Sequence, residues 1–213
     1  MKNEQGRGIV TPVRQKRKDS KKDVKPYVDS SLKDSIYRMS FITSTPVKDV
    51  CESLVIFSIT NKKMIEELSE YFHRDIRINN TLYFGSLENP RIHMLKFPAK
   101  TERVSLRLTR NVYEVVYSLS YALDCSVSRV VSLLLERGMH DIRFVNTYIN
   151  TNLNSIDERR KKELQKILDY INGELEEEIT LASLLSYIAA EFKDPLKTSK
   201  QAFEDFFRQW KGK

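Results

Sequence analysis

The sequence predicts an α+β fold that is mostly helical and is organised around a strand followed by two helices in the middle of the chain. Three observations support this prediction. Residues 102–108 alternate between polar and apolar side chains, which is the period of a strand with one buried face. Two apolar stripes at helical spacing follow this strand, and further helical stripes fill residues 155–210. Residues 27–97 mix helical stripes with short β-branched runs.

These patterns divide the chain of 213 residues into four predicted segments. They are a disordered basic arm at 1–26, a small α+β region at 27–100, a central strand-helix-helix unit at 101–140 and a C-terminal helical region at 141–213. The chain is long enough to bury a core in one large domain or in two small ones.

The first 26 residues are strongly basic and lack apolar periodicity. They hold nine Lys and Arg against three acidic residues, so six of the seven net positive charges of the chain lie there. Such a composition buries too little apolar surface to order a chain. One interpretation of this basic arm is contact with nucleic acid through Arg14, Lys16, Arg17, Lys18, Lys21 and Lys22. A solvated tail that only aids solubility explains the same composition equally well.

Residues 27–100 are predicted to form three helices, a strand and a hairpin. The helices are expected at 32–39, from Pro46 onward with Thr45 as its N-cap, and at 61–72. The strand is expected at 54–59 and the hairpin around Asn79–Asn80. Because this region also contains a strand followed by a helix, we compared residues 55–72 with residues 104–121. Glutamates of the first fall where the second has apolar residues, so no internal repeat is predicted.

The central strand has two distinct faces. One face is apolar and consists of Val104, Leu106 and Leu108, and the other is polar and consists of Arg103, Ser105 and Arg107. A lone strand of this length cannot satisfy its backbone groups or cover its apolar face. Antiparallel pairing with the same strand of a second copy is one economical solution, so a homodimer is expected.

Two short helices are predicted directly after this strand. Thr109 is placed to cap the first, whose apolar stripe runs to Leu123. Ser126 is placed to cap the second, and Gly138 is placed to end it. This order of an alternating strand and two capped helices resembles the ribbon-helix-helix family of DNA-binding domains. The resemblance covers residues 102–139, and Asp124 stands where members of the family often carry Gly.

The resemblance implies a way of binding DNA. Two strands form an antiparallel ribbon that enters the major groove, and Arg103, Ser105 and Arg107 would face the base edges. The N-terminus of the second helix, at Ser126, Val127 and Ser128, would face a phosphate, because its free N–H groups and dipole favour an anion. Ordinary exposure of the strand face and simple capping of the helix are the alternative interpretations of these residues.

Three amphipathic helices are predicted in the C-terminal region. The first follows a Ser155–Glu158 capping pattern, carries Leu164, Ile167, Leu168 and Ile171 and ends at Asn172–Gly173. The second spans residues 181–192, and the third carries an aromatic stripe from Phe203 to Trp210. That stripe is expected to pack on its own domain, with docking to a protein partner as the alternative.

No feature of the sequence indicates catalysis, a metal or a cofactor. The histidines are scattered, and no nucleophile-base pair or phosphate-binding glycine motif occurs. The two cysteines, Cys51 and Cys125, fit neither a disulfide scaffold nor a zinc site. The basic N-terminus has no apolar segment of a secretory signal behind it, and no apolar run is long enough to span a bilayer, so a cytoplasmic, nucleoid- or plasmid-associated protein is expected.

The leading hypothesis is a dimeric, sequence-specific protein that binds double-stranded DNA, with higher assembly on DNA left open. It would be a prokaryotic, plasmid or phage transcriptional regulator such as a repressor, or an accessory that organises DNA in plasmid partition or transfer. A second hypothesis is an antitoxin-like interaction protein, whose central unit only dimerises while the C-terminal helices capture a protein. A third places nucleic-acid binding in a winged helix at residues 27–97, and RNA also remains open.

Overall fold

The computed structural model describes residues 21–78, 80–92, 100–152, 157–173 and 179–184. Within these residues the protein is mostly helical with short antiparallel strand pairs, which confirms the predicted α+β class and its majority of helix. The helices are α1 (Ser30–Thr43), α2 (Val47–Thr60), α3 (Lys62–Ser69), α4 (Arg110–Ala122), α5 (Val127–His140), α6 (Ile142–Asn152) and α7 (Glu158–Asn172). The strands are β1 (Lys22–Val24), β2 (Tyr27–Asp29), β3 (Ile76–Ile78), β4 (Thr81–Tyr83), β5 (Thr101–Arg103) and β6 (Leu106–Leu108).

Residues 22–29 and 101–108 form one antiparallel two-stranded ribbon, called the ribbon below. β1 pairs with β6 and β2 pairs with β5 in one common register. A 3.1 Å hydrogen bond from Val104 N to the Pro26 carbonyl joins the two pairs. The predicted disorder up to residue 26 is therefore wrong for residues 22–26. The central strand was predicted to pair with the same strand of a second copy. In the structure, a segment of the same chain pairs with it instead.

The chain contains an internal structural repeat. α2 and α5 both have 14 residues and begin at Val47 and Val127, which are 80 positions apart (127 minus 47). The same offset separates the first residues of α1 and α4, and of α3 and α6. It also relates Ser44 and Asp124, the described non-glycine residues with positive φ, at 55° and 51°. Residues 21–70 and 101–150 are thus two copies of a strand-helix-helix-helix unit.

The two copies bury equivalent positions. On the underside of the ribbon the buried residues are Val24, Pro26 and Val28 in the first copy and Val104, Leu106 and Leu108 in the second. In the helices, the pairs Leu32 and Val112, Ile36 and Val116, Met39 and Leu119, and Leu54 and Leu134 are buried in both copies. The prediction that the chain has no repeat is therefore wrong. Residues 55–72 and 104–121 are not counterparts, because the first segment lies in α2 and α3 whereas the second spans β6 and α4.

The pairing register relates the two copies by an approximate two-fold axis. Continued between β1 and β2, the register sets Lys25 opposite Ser105, its own counterpart 80 positions later. The axis therefore passes through the centre of the ribbon. The strands of the two copies run antiparallel about it, and α2 and α5 pack against each other beneath.

Helices α2 and α5 approach each other closely at equivalent residues. Ser58 and Gly138 are counterparts, and a Cβ atom added at Gly138 would lie 2.6 Å from Ser58 Oγ. The Ser58 hydroxyl donates to the Leu134 carbonyl at 2.8 Å. The strand predicted at 54–59 is wrong, because these residues lie in α2. This helix is buried on several faces by the rest of the fold, so its apolar residues form a run instead of a stripe.

The remaining described elements complete the core. The hairpin predicted around Asn80 is confirmed as the antiparallel pair of β3 and β4. Helix α7 packs on α1 and buries the predicted stripe from Leu164 to Ile171. Asp157 caps this helix by accepting from Arg160 N. Ser155 of the predicted capping box, the predicted helix beyond residue 184 and the aromatic stripe at 203–210 lie outside the described residues.

Candidate nucleic-acid interface

The outer face of the ribbon is polar, and it is exposed at residues 23, 25 and 27 of one strand and at residues 103, 105 and 107 of the other. The predicted alternation is confirmed, because Arg103, Ser105 and Arg107 are exposed between the buried residues of the same strand. The other strand adds side chains that sequence analysis did not assign to this face, namely Asp23, Lys25 and Tyr27. The face therefore carries three cationic side chains and one carboxylate.

Contacts across the ribbon hold two of these cations in place. Arg107 Nε lies 2.8 Å from Asp23 Oδ1, and the two side chains are 63% and 61% exposed. At the other end of the ribbon, the guanidinium carbon of Arg103 lies 4.7 Å from the centre of the Tyr27 ring. The two arginines are thus directed by different partners and stand at opposite ends of one face.

The dimensions of this face suit a DNA groove. Arg107 lies four positions after Arg103, which corresponds to about 13 Å along a strand. Two strands lie roughly 4.8 Å apart in a sheet, and the major groove of B-DNA is about 12 Å wide and admits a two-stranded ribbon. The apolar underside packs on α2 and α5, so the helices support the ribbon.

Helix α5 fixes the ribbon from below through two hydroxyl groups. Ser128 Oγ donates to the Lys25 carbonyl at 3.2 Å, and Ser132 Oγ donates to the Tyr27 carbonyl at 2.6 Å. The first of these bonds places the N-terminus of α5 beside the centre of the ribbon. Ser126 caps this helix as predicted, since its hydroxyl accepts from Arg129 N at 3.2 Å.

The equivalent N-terminus of α2 has different chemistry. Its cap residue is Pro46, which makes no side-chain cap bond, whereas the predicted cap Thr45 lies one residue earlier. The first turn of α2 carries an acidic residue, Asp49, at the position where α5 has Arg129. A carboxylate there stabilises the helix dipole but repels a phosphate, so α5 offers the better anion site.

A salt bridge ties the edge of the ribbon to α1. Lys33 Nζ lies 2.5 Å from Glu102 Oε2. The hydrogen bond to Lys33 and its positive charge hold the pKa of Glu102 below its usual range. The same bond raises the pKa of Lys33. Glu102 is therefore occupied within the protein and does not add a free carboxylate to the outer face.

The first strand of the ribbon was not predicted, although its sequence carries the alternation of a strand. Val24, Pro26 and Val28 alternate with polar residues in the way that residues 104–108 do. The high local charge and the proline favoured a disordered arm instead. Of the arm residues named above, Lys21 pairs with Glu52 at 2.5 Å and Lys22 is exposed in β1. Arg14, Lys16, Arg17 and Lys18 lie outside the described residues.

Comparisons with known proteins do not identify the chain, because no family model, no curated protein and no solved structure matches it. In the described parts of the chain, no group of three or more His, Cys, Asp or Glu side chains is placed to hold a metal ion. No single described helix is both long and apolar enough to cross a membrane. Among the described helices, the pair of α4 and α5 meets that requirement by length and composition, and the two are bent by 103° at their junction.

Proposed function

We propose that this protein binds double-stranded DNA and reads base edges in the major groove with the outer face of the ribbon. The observation that carries the proposal is the pair of exposed arginines, Arg103 and Arg107, at the two ends of a ribbon supported by two helices. The resemblance of residues 102–139 to ribbon-helix-helix domains supports the same mode of binding.

Arginine is the side chain best suited to this task. Its guanidinium can donate to guanine O6 and N7 together, and such a contact discriminates against a wrong base by about 1–3 kcal/mol. Arg107 is engaged with Asp23, but a salt bridge this exposed is worth only about 0–1 kcal/mol and costs little to break. The stacking of Arg103 on Tyr27 restricts the side chain and leaves the edge of its guanidinium available for donation.

Affinity would come from contacts with the DNA backbone. The N-terminus of α5 at Ser126, Val127 and Ser128 lies beside the ribbon, where its backbone N–H groups would donate to a phosphate. The basic residues before Lys22 would add phosphate contacts of their own. Each neutralised phosphate contributes roughly 0.9 to the slope of log affinity against log salt, so binding should weaken steeply as salt rises.

The biological role proposed here is that of a transcriptional regulator in a prokaryote, a plasmid or a phage. A DNA-organising accessory of plasmid partition or transfer would use the same interface. The two roles differ in where the binding sites lie and not in the chemistry of the ribbon.

The test compares the affinities of the wild type and two variants for a duplex that the wild type selects from a random pool. Arg103→Ala/Arg107→Ala removes both arginines from the ribbon. Arg77→Ala/Arg91→Ala removes the same charge from exposed positions of the region that contains the β3–β4 hairpin. This region contacts the C-terminal end of α4, since Arg74 bonds the Tyr121 carbonyl, and so lies about 18 Å from the ribbon end of that helix.

The expected result is loss of sequence preference in the ribbon variant and binding close to that of the wild type in the control. Loss in the control alone would move DNA binding to the hairpin region, as in the winged-helix hypothesis. Equal affinity in all three proteins, or no selected sequence for the wild type, would contradict the proposal and favour a protein-interaction role.

A further inference from the structure

We infer that one chain forms the complete DNA-reading unit and that its DNA site is not palindromic. The inference rests on the proposed function and adds to it the symmetry of the ligand. In a ribbon made by two identical chains, both strands present the same side chains, and the favoured site is a palindrome. Here both strands come from one chain, and their outer faces differ.

The ribbon is complete within one chain. The register places Lys25 opposite its counterpart Ser105, so the approximate two-fold axis lies within the chain. Every element that a second copy would supply about such an axis is present, because residues 21–70 repeat the strand and helices of residues 101–150. The facing edges of the two strands are already paired with each other. A second chain is not needed to form the ribbon.

The approximate two-fold symmetry of the ribbon holds for its buried residues and not for its exposed ones. The buried counterparts are apolar in both copies, namely Val24 with Val104, Pro26 with Leu106 and Val28 with Leu108. The exposed counterparts differ in charge or size at every position, namely Asp23 with Arg103, Lys25 with Ser105 and Tyr27 with Arg107. The repeat thus keeps the scaffold symmetric while the face that would meet DNA is asymmetric.

The two ends of the ribbon offer different chemistry to DNA. At one end Arg107 stands beside Asp23, and an aspartate can accept from cytosine N4 while an arginine donates to guanine. At the other end Arg103 stands over Tyr27, whose ring offers apolar contact to a thymine methyl group. The two half-sites should therefore share a guanine and differ at the neighbouring base pairs.

The helix N-termini reinforce this difference. α5 presents Ser128 and Arg129 in its first turn, whereas α2 presents Lys48 and Asp49 at the equivalent positions. The phosphates on the two sides of the site would therefore be held by different groups. The asymmetry extends from base reading to backbone contacts.

The experiment starts with the wild-type chain and a random duplex pool, followed by sequencing of the enriched DNA and native mass spectrometry of the complex. We expect a motif that is not its own reverse complement and one chain on each duplex. Two palindromic duplexes are then made, each by duplicating one half of the motif. Each should bind more weakly than the selected site, by roughly 5- to 150-fold for every base pair that the ribbon can no longer read.

A symmetrised variant tests whether the ribbon is the source of the asymmetry. Asp23→Arg/Lys25→Ser/Tyr27→Arg gives both strands the same outer side chains and changes only exposed positions. It should select a palindromic motif. A second variant exchanges the three outer side chains of one strand with those at the counterpart positions of the other strand. It keeps every cross-strand pair of the wild type, so it controls for the repulsion between opposed arginines in the symmetrised variant. It should still select the motif of the wild type.

The outcomes separate this inference from the proposed function. A palindromic motif for the wild type, or two chains on each duplex, would overturn the single-chain reading unit while DNA binding by the ribbon stands. An unchanged non-palindromic motif in the symmetrised variant would also overturn it, because the asymmetry would then come from elsewhere. Absence of any enriched motif for the wild type would remove the proposed function itself.

Discussion

The close approach of α2 and α5 leaves no room for a Cβ atom at Gly138. In Gly138→Ala the new Cβ would lie 2.6 Å from Ser58 Oγ and 3.1 Å from Leu54 Cδ2. Both side chains are fully buried, and the Ser58 hydroxyl is held by the Leu134 carbonyl, so neither can move away freely. Overpacking of this kind costs typically about 1–3 kcal/mol. The gain in helix propensity from Gly to Ala returns up to about 1 kcal/mol.

We therefore expect Gly138→Ala to lower the free energy of unfolding by about 1–2 kcal/mol, measured by urea denaturation followed by circular dichroism. The matched control is Gly173→Ala. There the backbone is helical and the new Cβ would lie at an ordinary 3.5 Å from the Tyr170 carbonyl. In a Ser58→Ala background the cost of Gly138→Ala should shrink, because the obstructing oxygen is gone. Equal stability of Gly138→Ala and Gly173→Ala would refute the close crossing of these helices.

Two further predictions concern titratable side chains. Burial raises the pKa of Cys51 to about 12 and that of Cys125 to about 11. At pH 8 both thiols of the folded protein should therefore react with a disulfide reagent far more slowly than in urea. Cys51, which is fully buried, should react the more slowly of the two. Hydrogen bonds from Lys166 and Arg38 lower the pKa of Glu163, so its contribution to stability is present above its ordinary pKa of 4.5 and is lost as the pH falls through the lowered value. Urea midpoints at pH 7 and pH 3 should therefore differ less in Glu163→Gln than in the wild type, and an equal difference in the two proteins would contradict the role of these bonds.

The parts of the fold that could be predicted from sequence are those in which local pattern and tertiary environment agree. The strand at 102–108 has one buried and one exposed face, so its period of two is visible in the sequence. The Ser126 cap and the Asn172–Gly173 end of α7 are also local signals, and the structure confirms both. These features depend on residues close to one another in the chain.

The parts that could not be predicted depend on distant segments. Residues 22–29 form a strand because residues 101–108 offer an edge and α2 and α5 offer an apolar surface, and none of these is adjacent in sequence. Pro26 argues against a strand, but in a two-stranded ribbon its carbonyl still accepts from Val104 N. Part of helix α2 has the pattern of a strand because burial on several faces removes the polar side of the helix.

The repeat is hidden in the sequence for a related reason. Counterparts 80 positions apart are seldom identical, and several of those that are, such as Val50 with Val130 and Leu54 with Leu134, are common core residues. What the two copies share is the pattern of burial and the backbone, including the positive φ of Ser44 and Asp124. A turn at positive φ is usually marked by glycine, and neither copy has one there.

Under the proposed function, a ribbon contained in one chain also determines how DNA binding should depend on protein concentration. When two chains must associate to form the ribbon, dilution below their dissociation constant removes the reading unit, and binding curves become steep. Here both strands belong to one folded unit, so dilution does not separate them. Titration of the selected duplex with low concentrations of the protein should give a simple hyperbolic curve. The half-saturation point should stay the same at different DNA concentrations, provided that these lie below the half-saturation point. A sigmoidal curve that becomes hyperbolic on covalent linkage of two chains would show that association precedes binding and that the ribbon within one chain is not sufficient.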